Sequence, residues 1–257
     1  MNRYTPLLLF LAAFCSSTAV VAQDSQLTTD QVAVTRQLAE QGNADAQTFL
    51  GYMYDNGKGV TENDAEAVKW FRRAAAQGDA TAQFFLGVAY SNGEGVAKND
   101  AEAVKWFRLA ADQGDADAQF NLGVAYAKGE GVAENDAEAV KWFRLAADQG
   151  VARAQFNLGL MYDKGEGVAE NDAEAVKWYR RAADQGDASA QNNLGSMYRR
   201  GEGVAESKVD AYFWWNLAAA QGNANAKLNK GIIEKEMTRE QIAEAQRRSA
   251  AWKPKKE

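Results

Sequence analysis

The stretch that decides the fold is residues 115–150, DADAQFNLGVAYAKGEGVAENDAEAVKWFRLAADQG. In its first half, small and apolar residues recur with the i, i+4, i+7 and i+8 spacing of one face of an amphipathic helix. These residues are Ala118, Leu122, Ala125 and Tyr126. Asp115 precedes this face as an N-cap, and Gly129 follows it as a residue that readily takes the left-handed conformation. The pattern predicts a helix, which we call helix A.

A second amphipathic pattern follows the loop at residues 129–132. Its apolar face consists of Ala139, Trp142, Phe143, Ala146 and Ala147. We expect Asp136 to cap this second helix, helix B, and Gly150 to end it. Gly123 on helix A allows a close approach, and the aromatic residues fill the remaining volume. The stretch therefore predicts a helix-turn-helix hairpin.

The same hairpin pattern recurs along the chain with a period of 36 residues. Ala-Gln starts at positions 46, 82, 118, 154 and 190, and Leu-Gly at 50, 86, 122, 158 and 194. One copy buries too little apolar surface alone, so neighbouring copies must stack and the end copies need atypical caps. Residues 28–42 match only the helix-B half of a copy, and Thr238 is a good N-cap for a final helix that extends to Trp252.

The amino terminus has the order of residues typical of an export signal. Arg3 precedes an apolar run at residues 7–14, and a small-residue stretch ends at Ala22. The run is shorter than the roughly 20 residues that span a bilayer, so we expect no membrane insertion after cleavage. We predict cleavage after Ala22 and export, to a bacterial periplasm or beyond it. The alternatives are a retained anchor and a lipid on Cys15, and Phe14 disfavours the lipid because a lipobox needs a small residue there.

These patterns divide the chain into eight segments. They are a signal peptide (1–22), an N-terminal capping half-repeat (23–42), repeats 1 to 5 (43–78, 79–114, 115–150, 151–186 and 187–222) and a C-terminal capping segment (223–257).

The composition argues against most enzymatic mechanisms. The sequence has no histidine, and its one cysteine, Cys15, lies in the predicted signal, so the usual general base, metal ligand and disulfide are missing. No serine lies in a nucleophile motif such as GxSxG or SxxK. Carboxylate pairs remain, but helix capping accounts for them. We predict no catalytic, cofactor or metal site, and no enzyme.

Several recurrent features allow a ligand-binding interpretation and a structural one. The net charge of −6 without a concentrated basic face argues against nucleic acid. Acidic segments lack the ligand spacing of a calcium loop. Glycine pairs, such as Gly129 and Gly131, follow helices and are expected to be helix stops rather than phosphate loops. The tryptophans at 70, 106, 142, 178 and 214 are a sugar-stacking platform or an interhelix core, and we favour the core because they share an apolar face with Ala and Phe.

The repeat resembles the Sel-one-like repeat, a helical hairpin related to the tetratricopeptide repeat. The resemblance rests on Ala118, Leu122-Gly123, Tyr126, Gly129, Gly131-Val132, Asp136, Ala139, Trp142, Ala146-Ala147 and Gly150. Local departures are Val151 at a cap position and Lys208 where an aspartate is usual, which leaves Ser207 to cap that helix. The resemblance implies an all-α fold, a right-handed αα superhelix or solenoid with helix A on the concave side.

The resemblance also implies a function, that of an adaptor or scaffold that often serves bacterial export, envelope or host-contact pathways. Some members are credited with penicillin-binding or β-lactamase activity, but those are rich in cysteine. We therefore predict a protein or an extended peptide as the partner. The alternatives are a cell-envelope glycan or peptidoglycan and, third, a β-lactamase-like hydrolase.

The predicted partner-binding groove is the non-core side of helix A, whose positions vary most between copies. It combines an apolar stripe, a ladder of asparagines able to pair with a peptide backbone, and a basic end. Its residues are Phe84, Phe120, Phe156, Asn121, Asn157, Asn193, Val88, Val124, Leu160, Arg199 and Arg200. The alternative is that the Phe and Asn side chains pack against the neighbouring helix and only look accessible in a helical projection.

Overall fold

A computed structural model describes residues 27–255, so the predicted signal peptide, residues 1–22, lies outside the described residues. Within that range all of the regular secondary structure is helical, with thirteen α-helices and one short 3-10 helix. The predicted all-α fold of 36-residue helix-turn-helix repeats is confirmed. None of the described helices is long and apolar enough to cross a membrane.

The helices follow the predicted alternation of helix A and helix B. A first helix, α1 (Thr29–Glu40), precedes the repeats. The A helices are α2 (Ala44–Asn56), α4 (Ala80–Asn92), α6 (Ala116–Lys128), α8 (Ala152–Lys164) and α10 (Ala188–Arg200). The B helices are α3 (Asp64–Ala76), α5 (Asp100–Asp112), α7 (Asp136–Asp148), α9 (Asp172–Asp184) and α11 (Lys208–Ala220). The chain continues through α12 (Ala224–Ile233), the 3-10 helix (Glu234–Glu236) and α13 (Arg239–Ala251).

The chain forms two compact units, the first ending at Asp115 and the second beginning at Ala116. In each unit, successive helices pack against one another as far as α12, and in the second unit the last helix, α13, packs against α11. The core of the first unit includes Leu50, Phe71 and Leu86, all of them fully buried.

Side-chain caps begin most of these helices. The Asn135 side chain accepts a hydrogen bond from the Glu138 amide at 3.0 Å, and Asp136 is the first residue of α7. The prediction that Asp136 caps helix B was therefore wrong by one residue, because the asparagine oxygen reaches the third helical amide while the aspartate lies in the first turn. Ser207 caps α11 as predicted, and Thr238 likewise caps α13.

The two glycines of each loop have different roles. Gly165 has a φ of 69° and ends α8 in the left-handed conformation, as the sequence predicts for the first glycine of a pair. Gly167 also has a positive φ, and a Cβ there would lie 2.3 Å from the Asp136 carbonyl carbon. The second glycine is therefore required by the contact with the preceding repeat, and its interpretation as a helix stop was wrong.

Helices A and B of one repeat meet at a glycine. A Cβ on Gly123 would lie 2.7 Å from Cδ1 of Phe143, and one on Gly159 would lie 2.7 Å from Cδ1 of Tyr179. These distances are far below van der Waals contact, so no side chain fits between the ring and helix A. The predicted close approach at Gly123 is confirmed. This contact limits the distance between helix A and helix B of the repeat.

Candidate partner-binding surface

The predicted groove residues belong to the A helices of both units. Phe84 and Val88 lie on α4 in the first unit. The second unit holds Phe120, Asn121 and Val124 on α6, Phe156, Asn157 and Leu160 on α8, and Asn193, Arg199 and Arg200 on α10. Val88, Val124 and Leu160 are half-buried.

The phenylalanines are less exposed than the predicted apolar stripe requires. Phe120 is 8% exposed, its ring centroid lies 5.8 Å from that of Phe143, and the Arg153 guanidinium carbon lies 4.8 Å from its centre. The prediction of an exposed stripe is wrong at Phe120, because α7 and α8 enclose its ring from two sides. Phe156 is half-buried and packs against the Tyr179 ring at 5.9 Å.

Phe84 occupies the corresponding position in the first unit. It is half-buried, with its ring 6.1 Å from Phe107 and 5.4 Å from Phe85. The three phenylalanines therefore extend the contact between helix A and helix B, and Phe84 and Phe156 keep part of their surface accessible.

The asparagines are half-buried and have partners within the chain. Nδ2 of Asn121 donates to the Asp117 carbonyl oxygen at 2.8 Å, and Nδ2 of Asn157 donates to the Arg153 carbonyl oxygen at 2.8 Å. Each of these amides thus bonds the backbone one turn earlier in its own helix. Oδ1 of Asn193 accepts from Nδ2 of Asn192 at 3.2 Å. A peptide backbone would have to compete with these bonds for the same amides.

The basic end of the predicted groove is balanced by carboxylates. Arg199 Nη2 lies 2.9 Å from a carboxylate oxygen of Glu236, and Arg200 Nε lies 2.5 Å from Glu202. A hydrogen bond from Lys208 lowers the pKa of the Glu236 carboxyl below its usual value, and Arg199 lowers that pKa further. Much of the positive charge that the sequence places here is therefore neutralised within the chain.

Beside the Phe156 ring, Tyr179 is fully buried, and its hydroxyl donates to Oδ2 of Asp163 at 3.0 Å. Burial raises the pKa of this phenol well above its ordinary value. The group stays protonated at neutral pH and acts as a hydrogen-bond donor. Within residues 27–255, no group of three or more acidic, cysteine or histidine side chains is placed to hold a metal ion.

A buried glutamine in the Ala-Gln pair links successive repeats, and sequence reasoning missed it. Gln155 is fully buried, its Nε2 donates to the Ala147 carbonyl oxygen at 3.1 Å, and its Oε1 accepts from Nε2 of Gln185 at 2.8 Å. Oε1 of Gln191 accepts from Gln221 in the same way at 2.9 Å. The signal was a polar residue that recurs in every copy on an otherwise apolar face.

The tryptophan row is partly buried. Trp178 and Trp214 are 3% and 6% exposed, and Trp70, Trp106 and Trp142 are half-buried. The indole nitrogens of Trp142 and Trp178 are buried without a hydrogen-bond partner. Two of the five rings are thus enclosed, which favours the core interpretation over a sugar-stacking platform.

Comparison with known proteins identifies the repeat. The family model of the Sel1 repeat matches residues 44–79, 80–115, 116–151, 152–187 and 188–223. No curated protein matches the chain.

Two solved structures resemble the chain closely. A Sel1 repeat protein from Oxalobacter formigenes is 34% identical, with a TM-score of 0.77, and the match covers 96% of this chain and 98% of that one. A protective antigen of uropathogenic Escherichia coli strains that displays an SLR fold is 39% identical, with a TM-score of 0.79 over 86% of this chain. This chain spans only 49% of the length of the Escherichia coli protein.

Proposed function

The chain belongs to the Sel1 repeat family, and from that premise we propose that it is an exported, non-catalytic scaffold that binds a protein through the non-core face of its A helices. Members of this family generally act as scaffolds for protein–protein interaction. Export is supported by the order of residues at the amino terminus.

One observation carries the choice of the helix-A face, namely where the repeats vary. Positions that hold the hairpins together recur in every copy, as with Gln155 and Gly159. The position of Val124 is Tyr, Val, Val, Leu and Ser in copies 1 to 5, and it is half-buried in each. Packing constrains a core position, so variation at a partly accessible one favours a surface adapted to a partner.

The experiment replaces Asn121, Asn157 and Asn193 with alanine together and measures both thermal unfolding and capture of protein from an envelope extract. Asn121 and Asn157 bond only their own helix backbone among the contacts described above, so alanine should cost little stability. A partner-binding face predicts an intact melting curve and lost capture of the proteins that the wild type retains. A matched control replaces the exposed loop residues Glu134 and Glu170 with glutamine, and it should retain capture.

Full capture by the triple variant would refute the role of the asparagines, and lost folding would show that their role is structural. Binding of purified cell-wall polymer, rather than protein, would support the glycan alternative. The burial of Trp178 and Trp214 argues against that alternative, because stacking on a sugar needs an accessible ring face.

Export has its own test, which is intact-mass analysis of the chain recovered from the periplasm or the medium. The expected mass begins at Gln23. A mass that retains residues 1–22, or that carries a lipid on Cys15, would contradict the proposal.

A further inference from the structure

The C-terminal tail, residues 252–255, lies against the end of α9. The Lys255 amide donates to the Asp184 carbonyl oxygen at 2.8 Å, and Lys255 Nζ lies 2.8 Å from Oδ2 of the same aspartate. Trp252 and Pro254 approach Gly186, with atoms 3.8 and 3.7 Å from where its Cβ would be. The tail thus shows that the end of a B helix holds an extended, lysine-bearing segment by one backbone bond and one ion pair.

The tail also borders a pocket of about 400 Å³ along α9. Its lining includes Lys177, Arg180, Arg181, Asp184, Gln185 and Lys255. The α9 part of this lining is one helical face, spaced by three, four and seven residues, so it is built from positions that every B helix possesses.

The corner that the tail occupies is repeated at the ends of α5 and α7. Asp-Gln-Gly follows at 112–114 and 148–150 as it does at 184–186, and the glycines have φ values of 91°, 89° and 101°. Tail docking leaves the Asp184 side chain 24% exposed, whereas the Asp148 side chain is 60% exposed. Asp112, at the end of α5, is exposed as well. The corner carboxylates of α5 and α7 are therefore more exposed than that of α9.

The surfaces of α5 and α7 differ from that of α9 at one position. Arg181 of α9 is replaced by Leu109 in α5 and by Leu145 in α7, and both leucines are 47% exposed. Few large apolar side chains within residues 27–255 are exposed to this degree. The change supplies apolar area on the helix that carries the corner carboxylate, so α5 and α7 favour a segment that is both cationic and apolar.

We propose that α7 and α5 each dock an extended segment of another protein, one that carries a lysine for the corner carboxylate, Asp148 or Asp112, and an apolar or aromatic side chain for Leu145 or Leu109. The two helices have the same sequence, DAEAVKWFRLAAD, so each carries the same corner carboxylate and the same exposed leucine. This docking surface lies on the B helices and does not depend on the helix-A face.

The charges support this occupant. Asp148 is paired with Arg181 at 3.7 Å, and both side chains are partly exposed. Exposed ion pairs contribute little to the free energy of folding. A lysine of the partner can therefore replace Arg181 beside Asp148 at a small cost in free energy. A second copy's tail is a weaker occupant, because that tail is held on its own α9 at a high effective concentration.

The test uses a fluorescent synthetic peptide with the sequence of residues 250–257, AAWKPKKE, titrated into the full chain at low salt. The intact tail covers the corner of α9, so the expected result is binding at the corners of α5 and α7. Asp112→Asn with Asp148→Asn should weaken the peptide about two- to fivefold, and adding Leu109→Ser with Leu145→Ser should weaken it about tenfold or more. Unchanged far-UV circular dichroism shows that these exposed substitutions leave the fold intact.

Two controls make the result specific. Glu134→Gln removes an exposed loop carboxylate and should leave the affinity unchanged. Asp184→Asn removes the ion pair between the tail and α9 and should leave binding at the other corners in place. Binding that is indifferent to the α5 and α7 variants, or that appears only after Asp184→Asn, would overturn the proposal. Self-association that is lost on deletion of residues 252–257 would assign the surface to a second copy and would also overturn it.

Discussion

Replacement of Gln155 by alanine tests whether buried glutamines hold the repeats together. The side chain is fully buried, donates a hydrogen bond to the Ala147 carbonyl oxygen and accepts one from Gln185. Alanine leaves both partners without this side chain. The Ala147 carbonyl oxygen keeps the hydrogen bond from the Gly150 amide at 3.1 Å, so loss of the Gln155 bond costs about 1 kcal/mol.

Loss of the hydrogen bond costs less free energy at the other partner, Gln185. Nε2 of Gln185 also donates to the Gly150 carbonyl oxygen at 2.9 Å, and its residue is only half-buried. The cavity left by the shortened side chain adds about 1 kcal/mol or more. We therefore expect Gln155→Ala to lower the free energy of unfolding by about 2–3 kcal/mol, which is a large fraction of the stability of a domain.

The assay is urea denaturation followed by circular dichroism at 222 nm. Gln155→Leu keeps most of the volume and should lose about 1–2 kcal/mol, because only the hydrogen-bond component is removed. Gln185→Ala removes the half-buried end of the same bond and should cost about 1 kcal/mol. A loss below about 0.5 kcal/mol for Gln155→Ala, or equal losses for Gln155→Ala and Gln185→Ala, would refute the reasoning.

Three further predictions concern packing, pH and the C-terminal cap. Gly159→Ala should destabilise the protein by about 1–3 kcal/mol because its Cβ would lie 2.7 Å from the Tyr179 ring, whereas Gly231→Ala, with nothing within 4 Å, should be neutral or stabilising in the same denaturation assay. Burial and nearby carboxylates raise the pKa of Asp55, so its ionised form costs folded stability; Asp55→Asn should raise the melting temperature at pH 7, and the gain should shrink as pH falls through that pKa. A constant gain at all pH values would contradict this cause. Deletion of residues 238–257 should lower the melting temperature because α13 covers α11, and an unchanged melting curve would contradict that role.

The candidate site could be predicted only in part. Placement of Asn121 and Asn157 on a half-buried helix-A face follows from the 3.6-residue period. Enclosure of Phe120 does not follow from it, because it depends on the separation between helices that meet at Gly123 and on the position of Arg153. The charge at Arg199 was likewise misjudged, because its partner Glu236 is distant in sequence.

The sequence by itself determined the repeat, the helical hairpin, the caps at Ser207 and Thr238, and the glycine that brings the two helices together at Gly123. These features depend on residues within one or two helical turns, or on a period that is visible along the chain. The tertiary structure decided which side chains of helix A are covered, how Gln155 links successive helices, and where the tail meets Asp184. Those contacts join residues that only packing brings together, so the spacing of the sequence alone carries no information about them.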